Sequence, residues 1–418
     1  MTDLTDAPTA PAHRPPDELL LLDPAFLADP AAGFGAIREQ GPVVRGWLTE
    51  TQPVWLVTRY DDVRDGLRAH TRFVHTPEKV DGHTGEDPRR VLVDMLNLPE
   101  EMRKYFLVSA LDADPPAHTR LRGAVARTFA ARRMQALRPR IAEITHDLLT
   151  EALANSADGT LELVEGLAFP SAVTAVCELV GVPEADRAVF RRWGDDILSM
   201  DPERLGASSP PLIETITRLL DERRQAPTDD LLGGLATGLD EVEAVAMVMN
   251  VVMAGYDNTA QLLINSLAAL LTHPGQLRLL RDDLTLMPRA VEEFVRWCGP
   301  DIVVRMRLAA EDVDLHGVRI RKGDCVQFVL VSANRDSRRY PDGDRLDITR
   351  AGAEEHLGFG QGIHYCVGAG LSRVHCEVAL GVLLERFPQL RLADGPESLK
   401  RDVIPGTAPR LPELRVLV

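Results

Sequence analysis

Apolar residues recur at intervals of three and four over residues 141–152, 170–180, 212–224 and 241–271, the spacing of one face of an α-helix. The last stretch is apolar almost all round across 245–253, so it is expected to be buried on most sides. Val43-Val44-Arg45-Gly46-Trp47-Leu48 and Pro53-Val54-Trp55-Leu56-Val57-Thr58 instead read as two strands of a hairpin. Val313-Asp314-Leu315 and Val318-Arg319-Ile320 flank His316-Gly317 as a second hairpin, and 325–330 is a further apolar strand. A helix over 367–387 and strand-like pieces follow. Residues 70–112 carry many charges and little periodicity, which predicts a long, partly mobile loop of functional character. Residues 1–18, rich in Pro, Ala, Thr and Asp, predict a flexible leader ahead of one large domain, 19–418. Helices outweigh strands and no βαβ alternation occurs, so the expected fold is mainly α with small β-sheets.

Composition narrows the function without naming it. The chain has 418 residues, 45 % of them hydrophobic and 26 % charged, with a formal net charge of −16. A strongly acidic protein repels phosphate backbones, so nucleic acid is not expected as a partner. No stretch reaches the ~20 apolar residues of a membrane helix, and no signal-peptide pattern opens the chain, so no membrane and a cytoplasmic location are expected. The five cysteines, Cys177, Cys298, Cys325, Cys366 and Cys376, are odd in number and widely spaced, which does not describe a disulfide framework.

Candidate chemistry concentrates in Phe359-Gly360-Gln361-Gly362-Ile363-His364-Tyr365-Cys366-Val367-Gly368. Two glycines two apart allow a tight loop that can approach a flat ligand. Cys366 stands where that loop enters a helix, and backbone N–H groups at a helix start stabilise a thiolate. Read from the residues alone, Cys366 is a metal-bound thiolate or a buried cysteine in a glycine-rich turn. A zinc site with His364, His375 and Cys376 is a further option, although its spacing matches no common pattern.

Three other segments carry signals. Glu293 and Arg296 are three apart and can act as one charged unit on a helix face. His118 and Arg122 are four apart in Asp114-Pro115-Pro116-Ala117-His118-Thr119-Arg120-Leu121-Arg122 and form a cationic face able to pair with carboxylates. Ala254-Gly255-Tyr256-Asp257-Asn258-Thr259 interrupts the apolar helix. A glycine there costs about 1 kcal/mol and asks for a packing or functional reason, and a polar run in an apolar helix suggests a water-lined groove.

The cysteine segment resembles, position by position, the ligand signature of the cytochrome P-450 family, and the other motifs follow in that family's order over about 110–370. The resemblance implies the P-450 fold, with haem b between the long central helix and the cysteine loop. It implies that Cys366 is the proximal haem ligand and metal site, that Phe359, Gly360 and Gly368 surround it, and that His118, Arg122, Arg307 and His364 meet the haem propionates. It makes Glu293, Arg296 and Arg345 a structural triad. Ala254 and Gly255 would give dioxygen room beside the haem, and Asp257 would be the acid of the pair that delivers protons during oxygen activation. The alcohol position, normally Thr, is Asn258 here, and Thr259 lies about 100° further round the helix. Asn258 could place a water, a substrate hydroxyl could complete the relay, or the enzyme could perform oxidative coupling. The implied pocket comprises Asn250, Met253, Ala254, Ile302, Val303, Val304 and Ile404.

The implied activity is monooxygenation (hydroxylation or epoxidation) of a bulky organic substrate, with secondary-metabolite tailoring as the setting. The alternatives are non-hydroxylating oxidation or a non-catalytic haem protein of the same fold. Electrons would come from NAD(P)H through ferredoxin reductase and ferredoxin to a monomer. Residues 117–140 contain seven Arg and no acid; of these, Arg127, Arg132 and Arg133 suit an acidic ferredoxin.

Overall fold

The computed structural model describes residues 13–15, 18–82, 87–96, 98–199, 201–403 and 408–418. Its centre is the helix Glu241–Thr272. The Asp240 side chain caps it by accepting from Glu243 N at 2.9 Å, and Pro274 lies just beyond its end. Twenty-two of its residues are buried, as the all-round apolar pattern demands. It packs most extensively against the helices Phe169–Val180, Met287–Cys298 and Ala369–Arg386. Together these present one end of the loop that carries Cys366 to the middle of the central helix.

Three small sheets surround this bundle. In the largest the strand order is Val43–Thr49, Gln52–Val57, Cys325–Phe328, Arg307–Ala309 and Phe73–Val74. Gln52–Val57 pairs in parallel with Cys325–Phe328, Trp55 opposite Val326, and the other pairs are antiparallel. Thr160–Glu162, Arg415–Leu417 and Arg391–Leu392 form a second sheet, and Val313–Leu315 with Val318–Ile320 the expected second hairpin.

Three expectations need correction. Residues 70–112 are not one long loop. They hold a short strand and the helices Pro88–Met95 and Glu100–Leu107. Each helix has eight residues and much charge, too short for a periodic apolar signal to emerge. The last helix starts at Ala369, not 367, because Gly368 is its cap. Most of the leader lies outside the described residues; within it, Arg14 N donates to Glu50 O at 2.9 Å.

The third correction concerns the buried charges. Glu293 and Arg296 are buried and paired, Nε to Oε2 at 2.7 Å, with both side chains at 0 % exposure. The arginine that completes this unit is Arg350, not Arg345. Arg350 Nε lies 3.2 Å from Glu293 Oε1, whereas the Arg345 guanidinium is 66 % exposed and pairs with Asp347. Arg345 contributes its carbonyl oxygen, which accepts from Arg296 and Arg350.

Candidate active site

The loop that carries Cys366 bends at Gly360 (φ +69°) and Gly362 (φ +73°), conformations that favour glycine. A Cβ on Gly362 would lie 2.8 Å from Leu67 O, so the loop is pressed against the end of the helix Tyr60–Arg68. Cys366 N donates to Phe359 O at 2.8 Å and closes the loop. A Cβ on Gly368 would sit at an ordinary 3.9 Å from Cys366 Sγ. What this position supplies is its N–H, which bonds to the sulfur. Burial and the Asp301 charge push the thiol up; the Gly368 N–H and the cations Arg122 and Arg373 oppose that. Phe359 is clamped beside the loop, with the Arg373 guanidinium 4.5 Å from its ring. Glu292 holds Arg373 through Nε at 2.6 Å and also meets His356 Nε2 at 3.0 Å. His375 and Cys376 turn elsewhere, to Ser171 and Ser266, which does not favour a zinc site.

On one flank of the loop three histidines and two arginines converge. The rings of His75 and His118 lie 4.6 and 4.4 Å from that of His364. Nε2 of all three, and Arg307 Nε, are buried without a hydrogen-bond partner among the described residues. Burial first, and Arg307 next, hold His75 down at about 2 and His364 at about 3. Arg122 reaches the Tyr365 carbonyl. Arg305 is half exposed and lies 3.6 Å from Asp112 instead. Four unsatisfied buried donors form a seat for a dianion, and the two propionates of a haem fit it. His75 carried no sequence signal. It is set by Asp114, whose carboxylate accepts from its N–H at 3.0 Å and from Thr76 Oγ1 at 2.7 Å.

Facing the loop, the buried central helix opens. Ala254 is exposed, and Met253, Gly255 and Asn258 are half-buried, between fully buried neighbours. Gly255 does not make that opening. A Cβ there would come 2.6 Å from Val176 Cγ2, so Gly255 lets the helices Glu241–Thr272 and Phe169–Val180 touch. Thr259 is turned away: its hydroxyl lies 3.2 Å from that of Ser372 on the helix Ala369–Arg386, as the 100° step requires. Asn250 is occupied in holding the helix to the chain before it, accepting from Ser109 Oγ at 2.8 Å and donating to Ala246 and Val108 carbonyls. Ile302 is 4 % exposed and belongs to the sheet-side core with Val54 and Leu56, not to a pocket wall, and Val303 packs on the same cluster. Val304 packs against the cluster around Phe328. Ile404 lies outside the described residues.

The acids are arranged in a way the sequence did not announce. Asp257 accepts two hydrogen bonds from Arg410, at 2.8 and 2.5 Å, and its carboxyl is nonetheless pushed up by burial. Asn258 Nδ2 lies 3.5 Å from Asp301 Oδ2. Burial, then the Asp257 charge, push Asp301 up to about 6, against weaker pulls from Arg305 and Arg410. Because the folded protein holds this proton more tightly than the unfolded chain, ionised Asp301 destabilises the fold above pH 6 and contributes nothing below the ordinary 3.8. The gap is worth ~3 kcal/mol. Asp301→Asn is therefore expected to raise the urea midpoint at pH 8 and leave it unchanged at pH 3.5. Equal effects at both pH values would contradict this origin.

A sulfur at the head of a buried helix, with a seat for two carboxylates at its side, fits a flat dianionic cofactor with a thiolate-bound iron, as in the haem-thiolate class of oxidases. The profile of the cytochrome P450 family matches residues 211–404. Cytochrome P450 107B1 of Saccharopolyspora erythraea is 38 % identical over 393 residues, which cover 92 % of this chain and 94 % of that protein. The mycinamicin IV hydroxylase/epoxidase of Micromonospora griseorubida is 38 % identical over 372 residues, covering 87 % and 89 %. The solved structure of CxnD, a P450 described as forming a C–S bond in chuangxinmycin biosynthesis, matches with a TM-score of 0.83 at 31 % identity, covering 97 % of this chain and 98 % of that one. The chain belongs to the cytochrome P450 family and is a monooxygenase with haem iron as its cofactor and dioxygen as co-substrate. No helix among the described residues is long and apolar enough to cross a membrane.

Proposed function

We propose that this enzyme hydroxylates or epoxidises a bulky secondary metabolite beside the opening at Ala254, with Cys366 Sγ as the iron ligand and Arg122, His118, Arg307, His364 and His75 holding the propionates. The observation that carries the site assignment is the set of unpaired donors beside the glycine-bent cysteine loop. The relative named for mycinamicin IV supports the substrate class. When bound, the haem supplies the iron at which dioxygen is reduced, one atom going to substrate. The protein's part is to keep Cys366 deprotonated with the Gly368 N–H, to keep water from the sulfur by packing Phe359 beside it, and to control proton supply at the Asp257 and Asn258 side chains.

Electrons would come from NAD(P)H through a ferredoxin reductase and a ferredoxin to the monomer in the cytoplasm. Arg133 is paired with Asp229, which leaves Arg127 and Arg132 as the cations of that face without an ion pair among the described residues. Reversing both to Glu is expected to slow the first electron transfer from an acidic ferredoxin about tenfold at low salt, the difference closing at high salt. Stopped-flow reduction across ionic strengths measures this, and rates independent of both charge and salt would remove the docking face.

Asn258 cannot pass on a proton as a hydroxyl does. Asn258→Thr is expected to keep haem binding and to raise the ratio of oxygenated product to peroxide. An unchanged ratio would take this position out of proton delivery. For the reaction itself, heavy-isotope dioxygen should place one labelled atom in the product, and an oxidised product without label would favour coupling chemistry.

A further inference from the structure

The carboxylate of Asp301 has no cation of its own. Among the described residues it makes no ion pair, and its side chain meets the Asn258 amide at 3.5 Å. The neighbouring cations are committed: Arg410 to both oxygens of Asp257, and Arg305 to Asp112 at 3.6 Å. Asp301 lies deep in the molecule yet keeps accessible surface, as do Asn258 and Ala254 on the facing helix. It is fixed in place by Pro300, whose carbonyl accepts from Ala408 N at 2.8 Å. A buried carboxylate without a counter-charge is costly, and an incoming cation relieves that cost. A proton relay is the weaker reading, because the amide between Asp301 and the central helix has no proton to exchange along a chain.

We propose that Asp301 is a specificity-determining residue that pairs with a positively charged group, a protonated or quaternary amine, on the substrate. The idea rests on the reading that the opening at Ala254 receives substrate. The burial that pushes Asp301 upward fits a site completed by its ligand.

Two probes test it on the haem-loaded enzyme: hexyltrimethylammonium, which cannot ligate iron, and its neutral carbon isostere with a tert-butyl head. Binding is read by equilibrium dialysis and by the haem spin state. The ratio of the two affinities cancels their different hydrophobicity. We expect that ratio to fall about tenfold in Asp301→Asn and to be kept in Asp301→Glu. If Asp301→Asn loses haem, the same ratio is measured for the wild type at pH 7.5 and pH 5, where protonation of Asp301, faced by Asp257, Arg410, Arg305, Asn258 and the Cys366 sulfur, should lower it. A ratio unmoved by substitution or by pH, with the isostere still shifting the spin state, overturns the inference and leaves the pocket standing. No spin-state response to either probe overturns both.

Discussion

Cys366→Ser is expected to abolish the strongly red-shifted Soret band of the reduced, carbon-monoxide-bound enzyme while leaving much of the haem in place. Retention follows from the donors of His75, His118, His364 and Arg307, which in the proposed site hold the propionates and are untouched by the change. Loss of the band follows because thiolate donation to iron sets it. Outer partners of a metal ligand cost roughly 10–100-fold in activity or affinity when removed, so loss of the ligand should lower turnover by more than ~100-fold. Cys177 and Cys376, buried among core side chains, offer no substitute sulfur. A red-shifted band that survives the substitution would show that another group binds the iron.

The second large effect is structural. Glu293→Gln leaves Arg296 charged and buried, with its remaining N–H groups still held by the carbonyls of Asn334 and Gly343 at 2.7 Å. Removing one partner of a buried pair costs about 3–5 kcal/mol, against a total stability of about 5–15 kcal/mol. The expected outcome is poorly folded protein with little haem. Arg350→Ala removes a donor to Glu293 and three hydrogen bonds to the carbonyls of Pro341, Asp342 and Arg345, and should cost about 1–3 kcal/mol. Arg345→Ala, which removes an exposed side chain, should fall within about 0.5 kcal/mol. Urea midpoints and haem content of the three variants read this order directly. Equal losses for Arg345 and Arg350 would undo the reassignment.

What could be read in the sequence was local. Gly360, Gly362 and Cys366 lie within seven residues, and Glu293 and Arg296 share one helix face, so spacing alone groups them. The central helix announced itself by apolar residues on every side. The rest depends on pairing between distant segments, which spacing does not encode. Arg345 and Arg350 follow the same turn five residues apart, and only the packing of that turn on Glu293 selects between them. Nothing near Asp257 in the sequence points to its partner, because Arg410, which holds it, is 153 residues away. Asp301, next to Ile302, carries no signal in the sequence, since nothing local shows that it faces Asn258. Gly255 shows the same point from the other side: its smallness is spent on Val176, a neighbour from another helix.

The bond between Arg410 and Asp257 also bears on attempts to redesign the enzyme. The segment that carries Arg410 pairs with Asp402 in both backbone directions and rests on Pro300 through Ala408. The contacts of Ala408 and Arg410 therefore bear on the position of the Asp257 carboxylate and of the turn that presents Asp301. A mutant library confined to residues 401–410 with a new substrate in mind would shift both at once. With Asp257 in the proton-delivery role proposed above, selection for substrate scope alone would accumulate variants that waste reductant, and the screen should count peroxide alongside product from its first round.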